Sequence, residues 1–165
     1  MARKELLVDP SLYDLDKPIA DLEEIRRRNP QRFEMELLTA VVYISDEQKA
    51  AVGYKDTTDQ EFWVRGHMPG MPLMPGVLMC ETAAQLTGFA AHWLDLMPGS
   101  LLGLVGLEGV KFRGSVRPGD RFVVQAKLVH WRKMMVSAEF LGMVGDSVIC
   151  EGIVKGVPLK AGENR

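Results

Sequence analysis

A single long apolar segment, residues 76–94, constrains the fold more than any other feature of this 165-residue sequence. Apolar side chains occupy nearly its whole circumference, which is typical of a helix buried in protein rather than one on a surface. Glu81 interrupts it, so the segment lacks the run of ~20 apolar residues that crosses a bilayer. The sequence therefore predicts one long central helix over residues 76–94 and no membrane span.

Runs rich in β-branched and aromatic residues lie on both sides of this helix, with turn-forming residues between them. We predict strands at residues 33–44, 48–54, 62–65, 101–112, 121–131, 134–144 and 147–157. The short turns between the later runs favour antiparallel pairing. An antiparallel sheet buries one long helix most simply by wrapping around it, so we predict an α+β fold.

The two ends of the chain differ from this central region. Residues 16–28 predict a short surface helix, with Pro18 in its first turn and Asn29-Pro30 at its end. We therefore divide the chain into an N-terminal extension with a short helix at residues 1–30, the sheet-and-helix domain at residues 31–158, and a tail at residues 159–165.

Charge and cysteine content exclude several classes of protein. Lys and Arg total 20 against 22 Asp and Glu, so the chain lacks the cationic excess of a nucleic-acid-binding protein. Cys80 and Cys150 lie in apolar runs, which predicts two buried, reduced thiols. The His, Cys, Asp and Glu residues show no metal-ligand spacing, and the N-terminus lacks a signal peptide. We expect a cytoplasmic protein without metal or cofactor.

The polar residues of the predicted helix form one narrow line along it. Glu81, Gln85, Gly88 and His92 lie at positions i, i+4, i+7 and i+11, which fall on one helix face. A carboxylate in an apolar wall is costly unless it is paired, hydrated or neutral. A purely structural partner for Glu81 is one explanation, and a functional role is the other.

The segment before the helix favours the functional role. Prolines at positions 69, 72 and 75 keep it stiff and extended between His67 and the helix start at Gly76. Free N–H groups at a helix N-terminus stabilise a developing oxyanion. A base, a carboxyl group and such donors suit removal of a proton next to a thioester carbonyl. His67 and Glu81 either divide the proton transfers or one residue performs both.

Residues 66–85 read GHMPGMPLMPGVLMCETAAQ. This segment resembles the signature of the 3-hydroxyacyl-[acyl-carrier-protein] dehydratases of bacterial type II fatty-acid synthesis, including the spacing of 14 residues between His67 and Glu81. Residues 109–113 and 116–120 resemble a second conserved segment of that family. Met68 stands where the family has phenylalanine, and Gln31 stands where it has a second histidine.

The resemblance implies a hot-dog fold, a sheet wrapped around one central helix, assembled as homodimers and often as trimers of dimers. It places the active site at the dimer interface, with the histidine from one chain and the carboxylate from the other. Carried over by position, His67 is the catalytic histidine and Glu81 the catalytic carboxylate. Glutamate rather than aspartate at this position implies a dehydratase without obligate isomerase activity.

The resemblance also assigns substrate-binding residues. The N–H of Gly76 binds the thioester carbonyl, with Val77 beside it. Gln85 supports Glu81 from one turn further along the helix, and Met68 forms part of an apolar wall.

The implied activity is reversible dehydration of a 3-hydroxyacyl thioester to the trans-2-enoyl thioester, without cofactor, on acyl carrier protein. Several basic residues form a candidate docking surface for that acidic partner: Arg26, Arg27, Arg28, Lys111, Arg113, Arg117 and Arg121. Three alternatives remain open at this point, namely a thioesterase or an enoyl-CoA hydratase on the same fold and a non-catalytic acyl-binding paralogue.

Overall fold

The computed structural model of the protein describes residues 5–132 and 134–160. One antiparallel sheet contains six strands in the order β1-β2-β4-β5-β6-β3. The strands are β1 (Ala40–Ser45), β2 (Ala50–Asp56), β3 (Ser100–Phe112), β4 (Arg121–Arg132), β5 (Met135–Val144) and β6 (Ser147–Lys160), and the α-helices are α1 (Leu22–Arg28) and α2 (Gly76–Trp93).

Helix α2 lies against the concave face of the sheet, where it contacts β2, β4, β5 and β6. Leu86 and Phe89 are fully buried in this interface. Gly53 of β2 allows the close approach, since a Cβ there would lie 3.1 Å from a methyl group of Leu86. The predicted central helix is therefore confirmed to within one residue, and its packing against an antiparallel sheet is confirmed as well.

One predicted strand, the start of another strand and one helix start are wrong. Within residues 33–44, Phe33–Met35 is a 3₁₀-helix and the strand begins only at Ala40. Residues 62–65 form turns instead of a strand, with the Val64 N–H donating to the carbonyl of Glu61. Helix α1 begins at Leu22, because the Asp21 side chain caps it by accepting from the Glu24 N–H.

The N-terminal segment crosses the convex face of the sheet and covers a second apolar cluster. Val8 is 1% exposed and packs with residues of β1, β2, β4 and β5. Further along, Ala20 pairs with Val41 of β1 through an antiparallel bridge. At the other end of the chain, β6 continues to Lys160, two residues into the predicted tail, and residues 161–165 lie outside the described part.

Strand β3 lies at one edge of the sheet and pairs with β6 alone among the described strands. It exposes several large apolar side chains, namely Leu104, Val105, Leu107 and Phe112. An edge with free backbone groups and exposed apolar side chains is suited to pairing with another chain.

Cys80 and Cys150 are buried and unpaired, as predicted. Burial raises the pKa of both thiols, that of Cys150 to about 12, so neither forms a reactive thiolate near neutral pH. None of the helices described is both long and apolar enough to span a membrane.

Candidate active site

Glu81 lies on α2 and is held by Gln85, one turn further along. The Gln85 Nε2 donates to Glu81 Oε1 at 2.9 Å and to the Met35 carbonyl at 2.8 Å. Its Oε1 accepts from the Leu37 N–H at 3.1 Å. Because Gln85 is only 4% exposed and bound to the backbone on two sides, it orients the carboxylate of Glu81.

The predicted polar line of α2 faces one groove. Glu81, Gln85, Gly88 and His92 all line a cavity of about 180 Å³, which confirms the alignment inferred from their spacing. The remaining lining residues are Asn29, Pro30, Gln31, Ala84, Leu102 and Leu104. With a rise of ~1.5 Å per residue, the groove follows α2 for roughly 16 Å from Glu81 to His92.

His92 closes the far end of this groove and is held by backbone atoms. Its Nδ1 lies 2.9 Å from the Arg28 carbonyl oxygen, and its Nε2 contacts the Ser100 carbonyl oxygen. The side chain thereby joins the ends of α1 and α2 to the start of β3.

His67 lies in an exposed loop, and two backbone hydrogen bonds hold it there. The His67 N–H donates to the Trp63 carbonyl at 2.7 Å, and the His67 carbonyl accepts from the Leu73 N–H at 2.8 Å. The ring Nδ1 lies 2.9 Å from the Leu73 carbonyl oxygen. A carbonyl can only accept, so we assign the proton to Nδ1. In neutral imidazole this leaves Nε2 available as a base.

The start of α2 offers two backbone donors near His67. The Pro75 carbonyl accepts from the N–H groups of Leu78 and Met79, whereas those of Gly76 and Val77 make no hydrogen bond within residues 5–132 and 134–160. Such first-turn donors are the ones that suit an oxyanion.

A second cavity, of about 330 Å³, opens at this helix start. It is lined by His67, Leu73, Met74, Gly76, Val77, Met79, Phe112, Gly114 and Ser115. Phe112 packs so closely that a Cβ on Gly76 would lie 2.8 Å from its ring. Glycine is therefore required at position 76 for this packing.

The structure brings His67, Gly76 and Val77 together on one cavity and Glu81 and Gln85 together on another. His67 and Glu81 do not share a described cavity within one chain. Met68 is 47% exposed and lines neither of the two.

Sequence reasoning missed several groups that hold the site. The carbonyls of Leu73 and Met35 and the N–H of Leu37 act through the backbone, so their side chains carry no signal of it. Phe112 was missed as a packing partner of Gly76, although it lies in the second segment that resembles the family.

Most of the predicted docking cations are paired within the chain. Arg26 binds Glu23 and Glu36, and both Arg27 and Arg28 bind Glu24. Arg113 pairs with Glu151 and Arg121 with Asp56. Among the described residues, the side chains of Lys111 and Arg117 make no ion pair.

The described residues contain no group of three or more His, Cys, Asp and Glu side chains that could hold a metal ion.

Comparisons with known proteins place the chain among enzymes of acyl-chain synthesis. A family model described as a FabA-like domain matches residues 29–153. The chain is 33% identical over 132 residues to the 3-hydroxyacyl-[acyl-carrier-protein] dehydratase FabZ of Clostridioides difficile (strain 630), covering 80% of this chain and 92% of that protein.

Two solved structures share its fold at low sequence identity. A chain of the dehydratase heterocomplex ApeI:P from Xenorhabdus doucetiae has a TM-score of 0.71 at 19% identity, covering 84% of this chain and 93% of its own. A mutant of the thioesterase PA1618 from Pseudomonas aeruginosa has a TM-score of 0.61 at 16% identity, covering 90% and 99%. These likenesses confirm the hot-dog fold and carry no information about the reaction.

Proposed function

The chain belongs to the 3-hydroxyacyl-[acyl-carrier-protein] dehydratase family, and from this premise we propose that it reversibly dehydrates a 3-hydroxyacyl thioester to the trans-2-enoyl thioester in fatty-acid or related acyl-chain synthesis. The observation that carries the proposal is the carboxyl group of Glu81, held at 2.9 Å by Gln85 at the head of a groove. A carboxyl group here can protonate the departing C3 hydroxyl, a step that thioester hydrolysis does not contain.

In the proposed reaction, the free Nε2 of His67 removes a proton from C2 of the substrate. The electron pair moves onto the thioester carbonyl oxygen, where the N–H groups of Gly76 and Val77 stabilise the enolate. When the enolate collapses, the C2–C3 double bond forms and the C3–O bond breaks. Glu81 protonates the departing hydroxyl, which leaves as water, and the proton on His67 then restores Glu81.

We assign the two halves of each site to two copies of the chain. His67 and Glu81 lie on different cavities of one protomer, and the β3 edge exposes apolar side chains suited to a partner. A homodimer with composite sites accounts for both features. Further assembly into a trimer of dimers remains a prediction.

The proposed carrier is acyl carrier protein. Lys111 and Arg117, the two predicted docking cations without an ion pair among the described side chains, flank the sequence around Phe112, Gly114 and Ser115 at the His67 cavity. They support docking of an acidic partner there. The unpaired buried thiols of Cys80 and Cys150 support a reducing, cytoplasmic location.

Incubation with 3-hydroxyacyl and enoyl thioesters tests the function, since a change in enoyl absorbance reports hydration chemistry and release of free thiol reports hydrolysis. His67→Ala and Glu81→Gln should each lower kcat/KM by ~10²–10⁴-fold with an unchanged circular dichroism spectrum. His130→Ala on β4 is the control and should leave activity within twofold. Thiol release without enoyl turnover, or full activity of His67→Ala, would contradict the proposal.

A further inference from the structure

We propose that Phe33 is an aromatic wall that each protomer contributes to the His67 cavity of its partner copy. The inference rests on the proposed function, which places Glu81 of one chain opposite His67 of the other.

The conformation of Phe33 is unfavourable for an isolated protomer. Its φ angle is 57°, in the left-handed region that glycine adopts readily and that is strained for a residue with a bulky side chain. The residue is 85% exposed, so packing within its own chain does not compensate for this backbone strain. A strained backbone that presents an exposed aromatic ring indicates a contact outside the protomer.

Hydrogen bonds hold the backbone on both sides of this ring. On one side, the Arg32 guanidinium donates to the carbonyls of Asn29 at 2.8 Å and Arg26 at 3.0 Å. On the other side, the Met35 carbonyl accepts from Gln85. Because both flanks are anchored, the backbone that carries the ring loses little freedom on binding.

The same anchor connects the Phe33–Met35 turn to the carboxyl group of Glu81 through Gln85. One nitrogen of Gln85 binds both the Met35 carbonyl and Glu81, so the Phe33–Met35 turn and Glu81 share a single hydrogen-bond donor. Met35 is itself 40% exposed and adds a second apolar side chain to this surface. Whatever lies opposite Glu81 in a dimer also lies opposite this turn.

The His67 cavity has the chemistry to receive an aromatic ring. Its rim includes Val77, 72% exposed, and Phe112, 51% exposed, which gives the ring apolar partners. Aromatic side chains that fill apolar pockets contribute strongly to association. In that position the ring of Phe33 both strengthens the dimer and excludes water from the reacting thioester.

Phe33→Ala tests the contact directly. We expect the dimer dissociation constant, from sedimentation at a series of protein concentrations, to rise by about tenfold or more, and kcat/KM to fall by a similar factor. Met134→Ala, which removes another highly exposed side chain, should change neither by more than twofold. An unchanged dissociation constant with unchanged kcat/KM in Phe33→Ala would overturn the inference. If Phe33→Ala forms no dimer at any concentration, the contact is supported.

Mixed dimers distinguish a contribution to the partner from one within the same chain. The mixed dimer combines one His67→Ala chain with one Phe33→Ala chain, is purified with two different tags, and is assayed above the dissociation constant of the Phe33→Ala dimer. One of its two sites then has the intact His67 of the Phe33→Ala chain and the intact Phe33 of the His67→Ala chain. The other site lacks both side chains. We expect about half of the wild-type activity per dimer. Activity of about half that of the Phe33→Ala homodimer would show that Phe33 acts within its own chain, since only one such impaired site would then remain. Full activity of the His67→Ala homodimer would instead contradict the proposed function.

Discussion

At the scale of single residues, Gln85 shows how a buried amide can fix a reactive group. Both of its polar atoms are engaged, with three partners in total: Glu81, the Met35 carbonyl and the Leu37 N–H. The backbone partners prevent the amide from turning away from the carboxyl group. Glu81 is thus oriented before any substrate arrives, which is where a general acid gains most of its efficiency.

Replacing Gln85 with leucine should therefore affect both stability and turnover. The Leu37 N–H and the Met35 carbonyl lose their partner, and the loss costs about 1–3 kcal/mol for the buried Leu37 group. Because Glu81 is no longer positioned, the kcat of Gln85→Leu should be ~10–100-fold lower than that of the wild type. Urea unfolding and steady-state kinetics check these values. Thr87→Val on the same helix, which removes only a bond to the Ala83 carbonyl, should leave kcat unchanged.

Gly76→Ala tests the contact between the helix start and Phe112. A Cβ at this position would lie 2.8 Å from the ring, closer than side chains approach one another, so the ring must move out of the His67 cavity. We expect kcat/KM to fall by about tenfold and the double variant Gly76→Ala/Phe112→Ala to fall by less than the sum of the single effects. Gly106→Ala is the control, since its Cβ would meet Lys155 at a comfortable 3.8 Å. Additive losses would show that the ring is not the obstacle.

At the scale of elements, the wrong predictions fall on short segments whose structure depends on distant contacts. Helix α2 could be predicted to one residue because its nearly continuous apolar run and the flanking Pro75 and Pro98 act locally. The segment 33–39 has strand-like composition, yet the Met35 carbonyl and Leu37 N–H bind Gln85 on α2 instead of a neighbouring strand. Contacts 48–50 residues away in sequence cannot be inferred from local pattern.

The candidate site shows the same difference between what local sequence pattern predicts and what depends on long-range contacts. His67 and Glu81 could be selected from motif and helix spacing, since side chains carry their chemistry. Their separation onto two cavities, and the backbone groups that hold them, depend on tertiary packing. Helix α1 illustrates this as well, because Arg26 extends from it to Glu36 and thereby fastens the Phe33–Met35 turn beside Glu81.

The Arg26–Glu36 pair predicts how this region responds to acid. Hydrogen bonds from Arg26 hold the pKa of Glu36 below its ordinary value of 4.5. A carboxyl group with a lowered pKa stabilises the fold fully above its unfolded pKa and loses that contribution as the pH falls through the folded pKa. The Tm of Glu36→Gln should thus lie below that of the wild type at neutral pH, and the gap should shrink below about pH 4.5. Thermal scans from pH 7 to 3 check this, with Glu34→Gln in the same turn as the control variant. A gap for Glu36→Gln that stays constant down to pH 3 would contradict the prediction.

At the scale of the whole molecule, the convex face of the sheet depends on a segment outside the region shared with the family. The FabA-like match begins at residue 29, whereas the apolar cluster on that face is completed by Val8 and neighbouring N-terminal residues. Gln125 of β4, fully buried, accepts from the Leu7 and Val8 N–H groups and donates to the Val8 carbonyl and the Tyr13 hydroxyl. This one amide thus makes four hydrogen bonds to the N-terminal segment between Leu7 and Tyr13.

Replacing Gln125 with leucine should detach this segment while sparing the site on the opposite face of the sheet. The variant would leave the Leu7 and Val8 backbone groups without partners, so we expect the free energy of unfolding to fall by about 2–4 kcal/mol. Hydrogen exchange should accelerate over residues 5–17 and remain unchanged in α2. Since Glu81 and Gln85 face the groove along α2, kcat/KM should stay within twofold at a temperature well below Tm. Gln60→Leu, which makes the same change of side chain in an exposed turn, is the control. A large loss of kcat/KM in Gln125→Leu but not in Gln60→Leu would mean that the N-terminal segment acts on the site.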